Sequence, residues 1–190
     1  MANWYDGRQF RTDDHRVPSR AQMRLTFSVA EERHAPIIAG VRAAAARELT
    51  ARFGDGHWSG IPAVRGVLAS MRHSHVLMAC SGPAIVGTCR LSRRKPGAID
   101  PVHFELSARP MYLTDMAVRP DYQGGGVGRA LLMEADRTAR SLAADAIRLD
   151  AYDADGGAGE FYAKCGFTFV GRVSYRGVPL LYYERVLLEA

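Results

Sequence analysis

The chain has 190 residues and a mass of 20.8 kDa, the size of one domain, which excludes a large multidomain machine. A hydrophobic fraction of 47% with 24% charged residues is typical of globular proteins and excludes a mainly disordered chain. The net charge is +5, and the cations are almost all arginines, since Lys95 and Lys164 are the two lysines. Arginine suits phosphate and carboxylate recognition, but codon bias in an alanine-rich chain would produce the same surplus.

The cysteine pattern and the absence of long apolar runs predict a reducing compartment. Cys80, Cys89 and Cys165 are an odd number and have neither CxxC nor Cys/His zinc spacing, so we expect no disulfide framework and no metal site. No stretch reaches the ~18 apolar residues of a membrane span, and the first residues lack the apolar core of a secretion signal. We therefore predict a cytoplasmic protein with no membrane partner.

The first half of the chain divides into an arm, a strand, two helices and a hairpin. Residues 1–21 mix charges of both signs without periodicity and predict an N-terminal arm, with Trp4 and Tyr5 as candidate anchors, before a single domain at 22–190. Alternating apolar residues predict a strand at 25–29, and helical spacing predicts helices through 38–49 and 64–71. The glycine-rich segment 53–60 separates these helices. Two strands at 75–80 and 85–91 form a hairpin.

The second half begins with a long excursion at 92–108, which carries two prolines. A strand follows at 111–118, and a glycine loop then leads into an amphipathic helix through 127–142. A strand at 147–152, a short helix near 158–165 and a closing hairpin at 168–186 complete the order. Strands interspersed with helices in this way predict a mixed α/β sheet.

The glycine loop Gln123-Gly-Gly-Gly-Val-Gly128 stands between a strand and a helix start, where backbone N–H groups and the helix dipole bind phosphate. It is not a Walker A loop, because Arg129-Ala130 replaces the required Lys-Ser/Thr. It is not a dinucleotide GxGxxG either, since the third glycine is missing from both possible registers. The loop is thus suited to a pyrophosphate without phosphoryl transfer. A glycine turn that binds no ligand is the plain alternative.

Two motifs together resemble the GNAT superfamily of N-acetyltransferases. Gln123-x-x-Gly126-x-Gly128 resembles the acetyl-coenzyme A loop of that family. About thirty residues later, the segment from Asp155 to Phe167 resembles the family's N-x-x-A-x-x-F-Y-x-x-x-G-F. The resemblance covers about residues 23–188. It implies a mixed, mostly antiparallel central sheet with a V-shaped splay between two parallel strands, and helices on both faces.

The chain departs from the family pattern in the second motif. Asp155 stands where the family often has asparagine, which puts an amide contact to the pantetheine arm in doubt. Gly156, Gly157 and Gly159 weaken the start of the short helix, each by up to ~1 kcal/mol relative to alanine. We therefore expect this helix to depend on the cofactor for its order.

The resemblance implies acetyl-CoA as co-substrate and assigns its binding residues. The backbone of the strand residues Met116, Ala117 and Val118 would pair with the pantetheine arm. The pyrophosphate would bind the loop amides, and the short helix would contact the arm. The loop residues are Gln123, Gly124, Gly125, Gly126, Val127, Gly128 and Arg129, and those of the second motif are Asp155, Ala158 and Tyr162.

Acetyl transfer requires a neutral amine, an oxyanion donor and an acid for the thiolate. An alkyl amine needs roughly 4 kcal/mol to be neutral at pH 7, so a base is useful. The family implies Asp150 or Asp115 as that base, and the two are ranked equally; either is also a plausible ion-pair partner of an arginine. By the same resemblance Tyr162 is the general acid, and the N–H of Met116 is the oxyanion donor.

In the family, the loop between the first two helices and the loop of the last hairpin frame the acceptor. They correspond here to Asp55, His57 and Trp58, and to residues 174–179, including Tyr175. Carboxylates beside aromatics suit a cationic amine, small or peptidic. An aminoglycoside, a polyamine, an amino acid and a protein N-terminus all remain open.

The sequence leaves two alternative functions open. One is a module that binds acyl-CoA without transferring the acyl group, which the Asp155 departure keeps open. The other is a basic nucleic-acid-binding protein, but arginines spread through the chain disfavour it and we expect no nucleic-acid partner. The sequence leaves a homodimer open.

Overall fold

The computed structural model describes residues 24–105 and 107–187. The predicted arm at 1–21, with Trp4 and Tyr5, lies outside the described residues. Those that are described form seven strands and four α-helices in the predicted order. The strands are β1 (Leu25–Val29), β2 (His75–Ser81), β3 (Ala84–Ser92), β4 (Pro110–Val118), β5 (Ala146–Tyr152), β6 (Thr168–Tyr175) and β7 (Val178–Val186). The helices are α1 (Ala35–Phe53), α2 (Val64–Met71), α3 (Val127–Ser141) and α4 (Gly159–Lys164).

The strands form one sheet in the order β1-β2-β3-β4-β5-β7-β6. Every neighbouring pair is antiparallel except β4 and β5, which run parallel. The connection between those two strands contains α3, as a parallel crossover requires. The prediction of a mixed, mostly antiparallel α/β sheet is confirmed.

Helices cover both faces of the sheet, as the alternation along β2 illustrates. Val76 and Met78 are buried in a cluster with Ile38 of α1 and Val67 of α2. Leu77, the residue between them, points to the opposite face and packs in the cluster that contains α3. Because side chains of a strand alternate between faces, both faces of β2 are apolar. The α1 and α2 face is therefore separated from the α3 and α4 face by the sheet.

β4 and β5 are paired only at their beginnings. The parallel register runs from Pro110↔Ala146 to Tyr112↔Arg148, although β4 continues to Val118 and β5 to Tyr152. Beyond this point β5 continues its pairing with β7, and β4 continues along β3. The two strands thus diverge, which confirms the expected splay.

A β-bulge on β4 accompanies the divergence. Thr88 of β3 pairs with Ala117 and Arg90 pairs with Thr114, so two residues of β4 lie opposite one residue of β3. Asp115, inside the bulge, has a left-handed backbone with φ of 57°. A bulge bends its strand and increases the local twist, and here it turns the end of β4 away from β5.

A buried ion pair fastens the excursion at 92–108 to the sheet. Arg148 of β5 and Glu184 of β7 are 2.8 Å apart and almost completely buried. Arg148 also donates to the carbonyl of Glu105, whose N–H donates to Glu184. The excursion therefore provides hydrogen-bond partners for both buried charges.

None of the helices in the described part of the chain is long and apolar enough to cross a membrane.

Candidate active site

A cavity of about 440 Å³ opens where β4 and β5 diverge. Its walls come from the ends of both strands, one face of α1, the loop between α1 and α2, and the segment that leads into α4. The cavity brings together eight residues predicted from the sequence: His57, Trp58, Asp115, Met116, Ala117, Asp150, Ala158 and Tyr162.

The end of β4 presents free backbone to this cavity. On one side, Ala117 and Val118 pair with Thr88 and Gly87 of β3. On the side of β5, the ladder has already ended at Tyr112, so the backbone groups beyond it have no strand partner. An extended chain with amide groups, such as a pantetheine arm, can hydrogen-bond to such an edge. The geometry thus fits the predicted role of residues 116–118.

The glycine loop adopts the backbone that its composition predicts. Gly124 and Gly126 have left-handed φ values of 69° and 87°, which L side chains rarely adopt. Gln123 is exposed, and its side-chain amide donates to the carbonyl of Val118 at 3.0 Å, which fastens the loop to the end of β4.

α3 begins directly after the loop, at Val127, which is fully buried. Gly126 is the N-cap and has no side chain to bond the first N–H groups of the helix. A Cβ on Gly128 would lie 3.1 Å from the ring of Phe161, so glycine also lets α4 approach closely. Gly125 completes the turn and Arg129 is exposed at its edge. N–H groups at the positive end of a helix dipole fit a pyrophosphate.

Tyr162 of α4 reaches the cavity from within the core. Its ring packs against Phe167 and Tyr183, with centroids 5.8 and 6.2 Å away. Its hydroxyl donates to the sulfur of Met116 at 3.7 Å. Burial strongly raises the pKa of Tyr162, so the phenol keeps its proton at neutral pH.

Asp150 lines the cavity from β5. Burial raises the pKa of its carboxyl group above the ordinary range. Within the described ranges, the structure gives its carboxylate no ion pair with an arginine or lysine. Asp150 is therefore a carboxyl group that can exchange a proton nearer to neutral pH than an exposed aspartate can.

Asp115 lies on the other strand and has a different environment. Its carboxylate accepts a hydrogen bond from Arg42 of α1 and forms an ion pair with Nε of Arg90 at 2.8 Å. Nε of Arg90 also donates to Thr114 at 2.9 Å. From the sequence, either aspartate could have been the ion-pair partner of an arginine. In the structure Asp115 is that partner. Two guanidiniums therefore occupy the carboxylate of Asp115 and leave it less available to an acceptor amine.

The loop between α1 and α2 is fastened over the end of β5. The hydroxyl of Tyr152 donates to the carbonyl of His57 at 3.0 Å, and the rings of His57 and Trp58 lie 5.7 and 6.1 Å from that of Tyr152. The predicted residues His57 and Trp58 therefore form one wall. Asp55 is exposed and is not part of the lining.

Tyr175 lies elsewhere. It lines a second cavity of about 350 Å³, between the 92–108 excursion and the β6–β7 hairpin. The structure thus separates Tyr175 from the residues with which it was grouped as an acceptor contact.

The glycines at the start of α4 have a packing role that the sequence did not indicate. A Cβ on Gly157 would lie 1.9 Å from the carbonyl oxygen of Tyr152, and one on Gly159 would lie 2.8 Å from the hydroxyl of Tyr183. The close approach of this segment to β5 and β7 therefore requires glycine. Asp155 is exposed and outside the lining of the cavity.

Arg42 and Tyr152 are among the cavity residues that sequence reasoning missed. Arg42 follows Val41 within a helical apolar pattern, and no local signal separates it from a solvent-exposed arginine. Tyr152 ends a predicted strand and belongs to no recognised sequence motif.

In the part of the chain that the structure describes, no group of three or more histidines, cysteines or carboxylates could hold a metal ion.

Comparisons with known proteins match this geometry. A profile described as the acetyltransferase (GNAT) family matches residues 43–167. A search of curated sequences finds no match. Among solved structures, the PaiA N-acetyltransferase of Thermoplasma acidophilum with coenzyme A has a TM-score of 0.67 at 16% identity, over 86% of this chain and 99% of that one.

Two further structures are similar over comparable lengths. The ribosomal-protein-alanine N-acetyltransferase of Brucella melitensis has a TM-score of 0.65 at 17% identity, over 85% of this chain and 99% of that one. YncA of Salmonella typhimurium, with its cofactor acetyl-CoA, has a TM-score of 0.64 at 17% identity, over 87% and 95%. At such identities these structures establish a shared fold.

Proposed function

The chain belongs to the acetyltransferase (GNAT) family, and from that premise we propose that it transfers an acetyl group from acetyl-CoA to a primary amine by direct attack in a ternary complex. The observation that carries the proposal is the convergence of Asp150, Met116 and Tyr162 on one cavity at the splay of β4 and β5. They would supply a base for the amine, a donor to the oxyanion and a hydrogen-bond donor to the departing sulfur. Structural neighbours described as N-acetyltransferases support an amine as the acceptor.

The donor would bind through the backbone. The free edge of β4 from Met116 to Val118 would pair with the pantetheine amides. The loop from Gln123 to Arg129 would bind the pyrophosphate at the start of α3. Bound in this way, the thioester would lie at the bulge, beside the cavity. Ala158 and Tyr162 would then contact the end of the arm.

Asp150 would act as the base. Its raised pKa suits it to accept a proton from the ammonium form of the acceptor, directly or through a water molecule. The neutral amine nitrogen then forms a bond to the thioester carbon. Asp115 would instead hold the bulge, because its carboxylate is already engaged by Arg42 and Arg90.

The N–H of Met116 would donate to the oxygen that becomes negative during attack. The carbon–sulfur bond then breaks and the electron pair leaves on sulfur. Tyr162 would donate a hydrogen bond to that sulfur, as its hydroxyl now does to the sulfur of Met116. Burial disfavours a phenolate, so Tyr162 stabilises the departing thiolate by hydrogen bonding. The thiolate takes up the proton that the attacking nitrogen loses when it becomes an amide.

A paired measurement tests the proposal. Isothermal calorimetry with acetyl-CoA measures binding, and release of the free thiol over a panel of amines measures transfer. We expect binding together with amine-dependent thiol release. Binding without release above background would support the alternative of an inactive acyl-CoA-binding module, and no binding would overturn both.

A further inference from the structure

The cavity contains a positively charged group that the proposed chemistry does not use. Arg42 lines the cavity from α1, and its side chain is about one-fifth exposed. It follows that this guanidinium is partly withdrawn from water and faces the space where an acceptor would lie. Burial lowers the pKa of Arg42, with Asp115 opposing that effect, but an arginine remains charged at any working pH.

The charges around Arg42 do not cancel. Arg42 and Arg90 share the single carboxylate of Asp115. Two guanidiniums and one carboxylate leave one positive charge at this wall. Asp150 does not cancel this charge in the proposed reaction, since its carboxylate is matched by the ammonium group of the acceptor.

Arg42 also has hydrogen-bonding capacity to spare. A guanidinium has five N–H donors in a planar fork. In the described residues, the structure gives it one hydrogen-bond acceptor, the carboxylate of Asp115. The other residues of α1 that line the cavity are Ala45, Ala46 and Leu49, one and two turns further along the helix. They are apolar and leave Arg42 as the polar feature of this face.

The coenzyme does not account for this charge. Its pyrophosphate fits the glycine loop at the start of α3, and α3 packs on the opposite face of the sheet from α1. An anion at Arg42 would therefore belong to the acceptor.

We propose that the acceptor is a small amine that also carries a carboxylate, as an amino acid does, and that Arg42 binds that carboxylate. The inference rests on the proposed acetyl transfer. The acceptor's amine would lie toward Asp150 and its carboxylate toward Arg42. The rings of Trp58 and Tyr152 provide an apolar wall for its remaining part. The charged groups of polyamines and aminoglycosides are all cationic, and Arg42 would repel them.

The test compares each acceptor with its uncharged counterpart. Thiol release is measured with wild-type protein and a panel of α-, β- and γ-amino acids, each beside its primary amide, with kcat/KM expressed per neutral amine. We expect the best acceptor to be a free acid, preferred over its amide by at least about tenfold, the scale of a charge-assisted hydrogen bond. Equal use of acid and amide, or a preference for polyamines or aminoglycosides, would overturn the inference while leaving acetyl transfer established. Thiol release with no amine at all would overturn both.

Substitutions in α1 test whether Arg42 is the residue that causes the preference for the free acid. Arg42→Gln should shrink the preference for the acid toward one. Arg42→Lys, which keeps the charge but not the planar fork, should keep part of it. Arg47→Gln is the matched control, because Arg47 lies on the exposed part of the same helix. If the preference survives in folded Arg42→Gln, or falls equally in Arg47→Gln, the assignment to Arg42 is wrong. Should Arg42→Gln not fold, Arg42→Lys and the wild-type comparison still decide it.

Discussion

The two strands that border the cavity each carry one aspartate, but their environments are opposite. On β4, Asp115 lies in a bulge between the guanidiniums of Arg42 and Arg90. On β5, Asp150 is half-buried with no ion pair among the described residues, and burial raises its pKa. The same type of side chain is therefore paired with two cations at one wall and, among the described residues, has no ion pair at the other.

The two aspartates would therefore have different roles in one cavity: Asp115 stabilises the fold and Asp150 transfers a proton. An ion pair that links α1, β3 and β4 holds the backbone that would receive the thioester. A half-buried carboxyl group without an ion pair lowers stability but suits proton transfer. The following predictions test this division, from the largest expected effect to the smallest.

Asp150→Asn should have the largest effect. The amide cannot accept a proton at neutral pH, so we expect kcat to fall by about 10²–10⁴-fold, the usual contribution of a general base. Thiol-release kinetics measure kcat, and calorimetry should find acetyl-CoA binding retained. Asp153→Asn is the control, since Asp153 follows β5 and pairs with Arg172 at 2.6 Å. An equal loss in both variants would contradict a role for Asp150 as base.

Tyr162→Phe should lower kcat by about tenfold to a hundredfold, through loss of the hydrogen bond to the departing sulfur. Acetyl-CoA affinity should be nearly unchanged, because the ring and its packing remain. Tyr183→Phe removes the same atom from a neighbouring buried tyrosine and should leave kcat unaltered. Turnover at the wild-type rate by Tyr162→Phe would remove this hydroxyl from the mechanism.

Asp115→Asn should act mainly on stability. Asparagine tolerates the left-handed backbone as aspartate does, so the change removes the charge and leaves Arg42 and Arg90 without a counter-ion. We expect the free energy of unfolding to fall by about 1–2 kcal/mol, measured by urea denaturation. Asp121→Asn, which breaks the more exposed pair with Arg119, should cost less than about 1 kcal/mol. If Asp115→Asn abolishes transfer yet leaves stability intact, the two aspartates have been assigned the wrong way round.

The smallest effect is a change in how stability depends on pH. Because the folded state raises the pKa of Asp150, this group stabilises the fold below the pKa of the unfolded chain, and that contribution is lost as pH rises through the raised folded value. Asp150→Asn resembles the protonated form, so it should be more stable than wild type at pH 7. The gap should close as pH falls below about 3.9, the ordinary aspartate value. Urea denaturation at several pH values measures this, and a variant less stable at pH 7 would contradict it.

The order of helices and strands followed from the sequence because it depends on local patterns. Alternation in residues 25–29 and helical spacing in 127–142 reflect which side of each element is buried, and neighbouring residues report that directly. The glycine loop could also be predicted from the sequence, since the left-handed backbone at Gly124 and Gly126 favours glycine at those positions.

The roles of individual side chains were harder to predict from the sequence. Asp115 and Asp150 were ranked equally from the sequence, because both occur on strands beside the predicted splay. Tyr175 was grouped with the acceptor loop, whereas the excursion at 92–108 encloses it in another cavity. These outcomes depend on which segments meet across the fold.

By itself, the sequence determined the α/β class, the order of the elements, the glycine loop and the GNAT resemblance, because each depends on residues close together in the chain. Only the tertiary structure decided the chemistry of the cavity. Arg42 and Asp115 are far apart in sequence, and they meet because α1 packs over a bulge in β4. Protonation depends on such contacts, since burial and neighbouring charges shift each pKa from the value that the residue type alone would give.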